Sequence, residues 1–445
     1  MLGSDRIRQI TQRVLAHSNG AQTEIVVLGE ESALTRFANS RIHQNVAERN
    51  VQVRVRAVAG RRVGVAVIND LSDAALQQVA ENALEIAALQ PENPDFHSLP
   101  APRPVSEVGS FVRATAECTP EQRAKAVSTI CRLATENGLV ASGAFTTQSS
   151  EIAVTNSLGT FAYAPATYSD LSTVIMSDDS SGYAGMTSTD VHDIDAERAG
   201  REAVDKALRS RNPQPVEPGE YTVILEEYAV AELLSYLSYL GLGALSVQEG
   251  RSFMANKFGQ RITGENISIW DEGLDRTGLP TPFDFEGVPK QRVDLITDGV
   301  AKAVVYDSYC AGKEGTESTG HALPAPNHYG PLPGNLFMKA GQHSLEQMPA
   351  KVERGVWITR FHYVNPVHPL KTILTGMTRD GTFLIEDGEI KEGVKNLRFT
   401  QNILEALSAV DMIGAETKLR PGFFGGNRVP ALLIRRFSFT SATEF

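Results

Sequence analysis

The chain has 445 residues, of which 42% are hydrophobic and 21% charged, and a formal net charge of −11. This composition is typical of a soluble globular protein, and the length exceeds what one ordinary core requires, so two or three domains are expected. The acidic balance provides no basic surface for a nucleic-acid backbone, and no run of about 18 apolar residues predicts a membrane-spanning helix. Nucleic-acid binding and membrane insertion are therefore not expected.

The cysteines and the first residues bear on the cellular compartment. Only Cys118, Cys131 and Cys310 are present, without a C-x-x-C spacing, which favours a reducing environment over a disulfide framework. The first fifteen residues lack the apolar core of a signal peptide and have the pattern of an amphipathic helix. We therefore predict a cytoplasmic protein.

The first ninety residues have the pattern helix, strands, helix. The first helix is predicted to end at Gly20, and strands are predicted at 24–28, 33–37 and 51–58. Ser72 is a suitable N-cap for a second helix with an apolar stripe.

The same pattern returns after a proline-rich linker. Thr119 begins a capping box with proline at the first helical position, strand-like segments cover 139–176, and a helix is predicted near 195–208. A second proline-rich break follows at 212–220. The N-terminal half is thus predicted to be built twice on one helix–sheet–helix plan.

The last part of the chain is richer in short strands and glycine turns. A strong helix is predicted at 226–242, a hairpin turn at Asp387-Gly388, and one more helix near 402–412. The predicted class is α+β, with N-terminal helix–sheet–helix units followed by a β-rich C-terminal domain. The predicted domains span 1–90, 105–212 and 219–445.

One stretch, 359–387, concentrates polar side chains between two β-rich flanks at 356–361 and 382–385. It contains His362 and His368 together with several charged residues and glycines. Because loops on a rigid sheet often carry binding groups, we interpret this stretch as a functional loop.

A search for catalytic motifs finds few candidates. No two of the nine histidines lie three or four residues apart, so no helix presents a histidine pair to a metal. The patterns H-E-x-x-H, G-x-S-x-G, G-x-G-x-x-G and the Walker phosphate loop are all missing from the sequence.

Several segments do resemble one known family, in the right order along the chain. They are RFANS at 36–40, FDFEGV at 283–288, STGH at 318–321 and GMTRDG at 376–381. Together they resemble the TldD/TldE (PmbA) family of zinc-dependent peptidases and their partner subunits.

Given the resemblance, the predicted helix at 226–242 decides whether a zinc site is expected in this chain, because catalytic members carry H-E-x-x-x-H there. In this chain Ser235 and Leu240 occupy the histidine positions, and Tyr236 occupies the position of the glutamate. Those members also use a cysteine in a C-terminal glycine-rich turn, where this chain has FFGG at 423–426. We therefore expect no metal and no cofactor in this chain, with zinc held by a partner subunit.

The resemblance implies a non-catalytic TldE/PmbA-like subunit that works with a TldD-like catalytic subunit on short or unfolded peptides. A homodimer is left open. The residues predicted to contact the peptide are His321, Arg360, His362, Tyr363 and Arg379.

Two alternatives remain. In the first, the chain is itself an active hydrolase with a site outside the family pattern, drawn from His321, His328, His362, His368 or Cys310. Alternatively, it is a peptide-binding scaffold that needs no catalytic partner. Each of these side chains also has a plain structural interpretation, as a turn cap, an ion pair or a buried apolar group.

Overall fold

The first structural unit is a three-stranded antiparallel arrangement with two helices. The computed structural model describes residues 1–18 and 22–443, so the helix end predicted at Gly20 lies outside the described residues. The two strands predicted at 24–28 and 33–37 are one continuous strand. The elements are α1 (Ser4–Leu15), β1 (Gln22–Ala38), β2 (Arg41–Ala59), β3 (Arg62–Ile68) and α2 (Asp73–Leu89).

The second unit repeats this order, as predicted. Its elements are α3 (Arg113–Ala116), α4 (Pro120–Glu136), β4 (Val140–Asn156), β5 (Phe161–Met176), β6 (Ser181–Ser188) and α5 (Ala196–Arg209). The two units form a single six-stranded sheet in the order β3-β2-β1-β4-β5-β6, joined by the antiparallel pair of β1 and β4.

Matching glycines support the repeated plan. A Cβ atom at Gly64 of β3 would lie 2.2 Å from the backbone oxygen of Ala83 in α2. A Cβ atom at Gly182 of β6 would lie 2.2 Å from the backbone oxygen of Ala203 in α5. In both units a strand glycine therefore allows the closing helix to approach the sheet.

Local capping explains where the helices begin. Ser72 accepts a hydrogen bond from the backbone N–H of Ala75, and Thr119 forms the predicted capping box with Gln122. These bonds satisfy backbone donors that a helix start leaves unpaired, so both predicted helix starts are confirmed.

The C-terminal domain contains the remaining elements. Its helices are α6 (Glu227–Gly241), α7 (Ala244–Gln248), α8 (Ser308–Glu314) and α9 (Ile403–Ser408). Its strands are β7 (Gly219–Leu225), β8 (Ile269–Asp271), β9 (Val293–Thr297), β10 (Val300–Ala301), β11 (Asn335–Met338), β12 (Arg354–His368), β13 (Ile373–Glu386), β14 (Glu389–Gly393), β15 (Leu397–Asn402), β16 (Val410–Pro421) and β17 (Gly426–Ala442).

Five of these strands close into a ring. Strand β17 pairs with β15, which pairs with β13, then β12, then β7, and β7 pairs again with β17. The largest hydrophobic core of the described residues combines ring strands with the apolar side of α6, including Leu233 and Leu237. The ring therefore fixes the position of α6.

The interpretation of 359–387 as a loop between strands is wrong. Strand β12 continues to His368 and β13 begins at Ile373, so the stretch is a long hairpin with its turn at Pro369–Lys371. The hairpin predicted at Asp387-Gly388 is confirmed, with positive φ angles of 51° and 81° that match a type I′ turn.

Buried ion pairs connect the first sheet to the C-terminal domain. Arg56 of β2 contacts Glu24 of β1 at 2.6 Å and Glu286 of the C-terminal domain at 3.0 Å. Lys206 of α5 contacts Glu226, the residue before α6, at 2.7 Å.

Within the described ranges, no helix is both long and apolar enough to cross a bilayer.

Candidate functional site

The start of α6 is held by a buried carboxylate. Glu226 accepts hydrogen bonds from Lys206 at 2.7 Å, from the Trp357 indole N–H at 2.6 Å and from the Thr359 hydroxyl at 2.9 Å. A buried charge is tolerated when it is paired and fully hydrogen-bonded. This network fixes α6 against strand β12, and so fixes the segment where catalytic members of the resembled family hold zinc.

At that segment the structure has a compact amide–hydroxyl network. Ser235 donates a hydrogen bond to the Ala231 carbonyl at 2.9 Å and accepts one from the Asn427 side-chain amide at 2.6 Å. The same amide also donates to the Ala231 carbonyl, at 2.9 Å. The cavity between α6 and the glycine-rich turn has a volume of only about 10 Å³, so the space is filled.

The other two positions of the family's zinc motif, 236 and 240, also lack a side chain that could bind a metal. Leu240 is 6% exposed and packs in the apolar core. Tyr236 donates its hydroxyl to the Val364 carbonyl, and its ring meets Phe423 edge to face at 5.0 Å. Zinc is bound by thiolate, imidazole or carboxylate groups. The residues present here therefore do not fit a zinc ion.

Metal ligands are not assembled elsewhere in the part of the chain that the structure describes. No group of three or more His, Cys, Asp or Glu side chains there could hold a metal ion. His362 and His368 lie on the same strand and pair with Met377 and Ile373, and those four residue steps of strand span roughly 13 Å. These two histidines therefore do not meet at one metal.

An aromatic patch surrounds this position. On α6, Tyr236 contacts Phe423, and Tyr239 contacts Tyr329 with ring centroids 5.9 Å apart. Phe423 is 50% exposed and Phe424 is 39% exposed. Large exposed aromatic groups provide apolar contact area for a ligand, since monomeric proteins seldom cluster them on the surface.

Next to the patch lies a cavity of about 310 Å³ between the first sheet and the C-terminal domain. Its lining is mostly apolar, as in ligand-binding sites of other proteins. Asn335 is 3% exposed, and its Oδ1 atom has no hydrogen-bond partner among the described residues. The residues that line this cavity include Gly29 of β1, Ile152 of β4, Phe283, Leu332, Asn335 and Phe424.

His321, predicted to contact peptide, lines this cavity but is 1% exposed. Its Nδ1 atom shares a hydrogen bond with the Thr319 hydroxyl at 2.9 Å, and its Nε2 atom shares one with Asp271 at 2.8 Å. Burial, followed by nearby Lys290, lowers the pKa of His321. Both ring nitrogens are engaged with protein groups, so the imidazole is held in place where it lines the cavity.

The other four predicted residues lie together on the β12–β13 hairpin. Arg360 forms an ion pair with Asp380, with its Nε atom at 2.7 Å, and lies over the Tyr183 ring. Arg379 lies 3.8 Å from Asp380, with 42% of its side chain exposed.

His362 and Tyr363 differ in their exposure. Burial, together with Arg379 and Arg360, lowers the pKa of His362. Tyr363 is 72% exposed and has a φ angle of 56°, at an irregularity in the β12–β13 pairing. The structure thus brings four predicted residues together and leaves His321 in a separate, buried network.

Glu232 was not predicted from the sequence. It lies on α6, three residues before Ser235, and forms no hydrogen bond or ion pair within the described ranges. Burial raises its pKa to about 7, opposed by the charge of Arg360. In the sequence, Glu232 is the one charged residue in the otherwise uncharged run 229–242, and this is the signal that could have identified it.

We expect Glu232→Gln to stabilise the protein at pH 8 by about 1–3 kcal/mol. The raised pKa means that the ionised carboxylate costs stability above pH 7, and that this cost falls as the pH decreases from 7 towards the unfolded value of 4.5. The gain measured by urea unfolding should therefore shrink over that window. Glu416→Gln, at an exposed position of β16, is the matched control and should change stability little. A gain at pH 8 that persists at pH 4.5 would contradict this account.

Comparisons with known proteins agree over most of the chain. Models of PmbA/TldA metallopeptidase domain 1, central domain and C-terminal domain match residues 23–87, 103–211 and 218–441. A crystal structure of TldE from Thermococcus kodakarensis superposes with a TM-score of 0.88 at 23% identity, covering 98% of this chain and 100% of that one. That likeness shows the α+β fold.

Two relatives by sequence are similar over two thirds or more of their own length. An uncharacterized protein of Methanocaldococcus jannaschii is 28% identical over 300 residues, 66% of this chain and 68% of that protein. The metalloprotease TldD homolog of Haemophilus influenzae is 26% identical over 395 residues, 83% of this chain and 80% of that protein. With the C-terminal domain model alone matching half of its residues, the chain belongs to the PmbA/TldD metallopeptidase family.

Proposed function

We propose that this chain is a non-catalytic, TldE/PmbA-like subunit of a zinc-dependent peptidase whose catalytic subunit is TldD-like. One observation carries the proposal, and it concerns the segment that holds zinc in catalytic members. In this chain that segment is occupied by the hydrogen-bonded pair Ser235 and Asn427 and by the buried Leu240. A zinc-bound water would be supplied by the partner, and this chain would bind and position the peptide.

The surfaces beside this segment suit a peptide. The cavity of about 310 Å³ has an apolar lining for side chains, and the unpaired Oδ1 atom of Asn335 can accept a backbone N–H. The aromatic patch extends the same surface towards Tyr363 and the hairpin. The free cysteines Cys118, Cys131 and Cys310 fit the proposed cytoplasmic setting.

The geometry gives less support to a hydrolase site within this chain. Cys310 is fully buried, and burial raises the pKa of its thiol, which disfavours the thiolate that a nucleophile requires. His321 is buried and engaged on both ring nitrogens.

The test is reconstitution with a catalytic relative. We expect the purified chain alone to contain no stoichiometric zinc and to cleave no unfolded peptide. Co-expressed with a TldD-like chain that carries H-E-x-x-x-H, it should co-purify with that chain, and peptidase activity should increase at least tenfold over either chain alone. Zinc should be measured in the complex and should be lost when the partner's motif is mutated.

Variants of this chain separate the alternatives. Cys310→Ser should leave the turnover of the complex within about twofold, and His362→Ala should leave its zinc content unchanged, since neither residue would hold metal or attack the substrate. Zinc and turnover in this chain alone, abolished by His362→Ala, would overturn the proposal. Failure to bind or activate any H-E-x-x-x-H relative would favour the scaffold alternative instead.

A further inference from the structure

A second cleft, of about 340 Å³, lies between strand β6 and the C-terminal domain. It is separate from the cavity beside α6 and shares no lining residue with it. Five basic and only two acidic side chains line it, although the whole chain is acidic. The basic residues are Arg198, Arg276, Lys418, Arg420 and Arg428, and the acidic ones are Asp193 and Glu202.

The charges in this basic cleft are only partly neutralised. Glu202 contacts Lys206 at 2.7 Å, and Asp193 accepts a hydrogen bond from Ser188. Within the described residues, Arg198, Arg276 and Arg428 form no ion pair; Arg428 donates to the Thr277 carbonyl at 2.9 Å. Three guanidinium groups are therefore available to an anionic ligand, and each can bind a carboxylate through two parallel hydrogen bonds.

Arg420 provides an independent sign of an incomplete site. It is 6% exposed, and its Nε atom is buried without a hydrogen-bond partner in the part of the chain that the structure describes. Its guanidinium donates to the Gly185 carbonyl and lies 3.7 Å from the centre of the Tyr228 ring. A buried N–H donor without a partner is costly, and a bound acceptor would relieve that cost.

The backbone at the cleft belongs to open strand edges. Strand β6 ends the six-stranded sheet, and where β16 lines the cleft, at 418–420, its strand pairing among the described residues is with β17 alone. The N–H and C=O of Gly185 bond the Tyr228 hydroxyl rather than β5, so they face away from β5. Because the pattern alternates along a strand, the backbone groups of Thr187 face the same way. An extended peptide can add to such an edge through main-chain hydrogen bonds.

From the unpaired arginines and the open edge together, we propose that the basic cleft binds an extended peptide segment carrying acidic side chains. Its backbone pairs with β6 near Thr187, and its carboxylates bind Arg276, Arg428 and Arg198. All the lining residues are in this chain, so binding to the purified chain requires no catalytic subunit.

The test is calorimetric titration of the purified full chain at low salt with three blocked hexapeptides, which alternate Glu-Thr, Gln-Thr or Lys-Thr. We expect the Glu-Thr peptide to bind at least ten times more tightly than the other two, with an affinity that falls at high salt. Arg276→Gln, at an exposed position, and Arg428→Gln should each weaken binding about tenfold. Arg132→Gln, on the exposed side of α4, is the matched control and should leave binding unchanged.

Other results would overturn the inference. Equal binding of the Glu-Thr and Gln-Thr peptides would show that the arginines do not select the ligand. Binding that survives both Arg276→Gln and Arg428→Gln would place the peptide elsewhere. If inorganic pyrophosphate binds in an arginine-dependent way while no peptide does, the cleft is a site for a free anion and the peptide assignment is wrong.

Discussion

Replacing Lys206 with methionine is expected to lower the free energy of unfolding by about 3–5 kcal/mol, because the substitution leaves a buried carboxylate without its counter-charge. Lys206 lies 2.7 Å from both Glu202 and Glu226, and the side chain of Glu226 is only 4% exposed. Methionine keeps the apolar stem and removes the ammonium group. Urea unfolding followed by circular dichroism measures the loss.

The pH dependence of this loss is also predicted. The neighbouring carboxylates raise the pKa of Lys206 despite its burial, so its contribution is fully present below the unfolded value of 10.5 and is lost only as the pH rises above it. The deficit should therefore not shrink as the pH rises from 7 to 9. The double variant Lys206→Met/Glu226→Gln removes both charges and should recover at least half of the loss.

An exposed lysine supplies the control. Lys125→Met on α4 should change stability by less than about 0.5 kcal/mol. If Lys206→Met were as mild as this control, the Lys206–Glu226 pair would not hold α5 against the start of α6. The position of the Ser235 segment would then depend on the ring strands alone.

Helices were predictable from the sequence because their signals are local. Ser72 and Thr119 cap helices within three residues of themselves, and the apolar stripes that follow need no knowledge of distant partners. The glycine turn at Asp387-Gly388 was predictable for the same reason. Each such signal is contained in a few consecutive residues.

Strand lengths were underestimated because pairing partners are distant. The polar run at 29–32 interrupts the apolar pattern of β1, yet β1 is held on both sides by β2 and β4 along that run. Polar residues after Phe361 likewise suggested a loop, although β12 continues there as one arm of a hairpin. Backbone hydrogen bonds to a neighbour can outweigh local side-chain preference in a strand.

The site was predictable only where it repeats a known motif. The replacement of zinc ligands at Ser235 and Leu240 could be identified from the helix alone. The bond from Asn427 to Ser235 joins residues 192 positions apart, and no local pattern indicates it. The basic cleft likewise gathers residues from three separated segments, so its charge is invisible in a sequence whose net charge is −11.

These long-range contacts connect fold and function in one respect. The cavity beside α6 has one wall from β1 and β4 and the other from the C-terminal domain, so its shape depends on how the two parts are held together. Arg56 is the residue that spans this junction most directly, since it contacts a carboxylate on each side.

Arg56→Met is accordingly expected to cost about 3–5 kcal/mol at pH 8, because Glu24 and Glu286 would both remain buried without a cation. Their side chains are 3% and 6% exposed. Burial raises the pKa of Glu24 to about 7 even with Arg56 present, so its ionised form costs stability above pH 7 and this cost falls as the pH decreases. Without Arg56 that pKa should rise further.

The cost of Arg56→Met should therefore fall by about half or more between pH 8 and pH 5.5, as the Glu24 carboxyl becomes neutral. Arg54→Met, on the same strand, removes a guanidinium that contacts the Ala325 carbonyl and Gln52 but no carboxylate. Its cost should be about 1 kcal/mol at both pH values. Equal, pH-independent losses for Arg54→Met and Arg56→Met would show that the junction is held by packing, and that the peptide cavity does not depend on this ion pair for its shape.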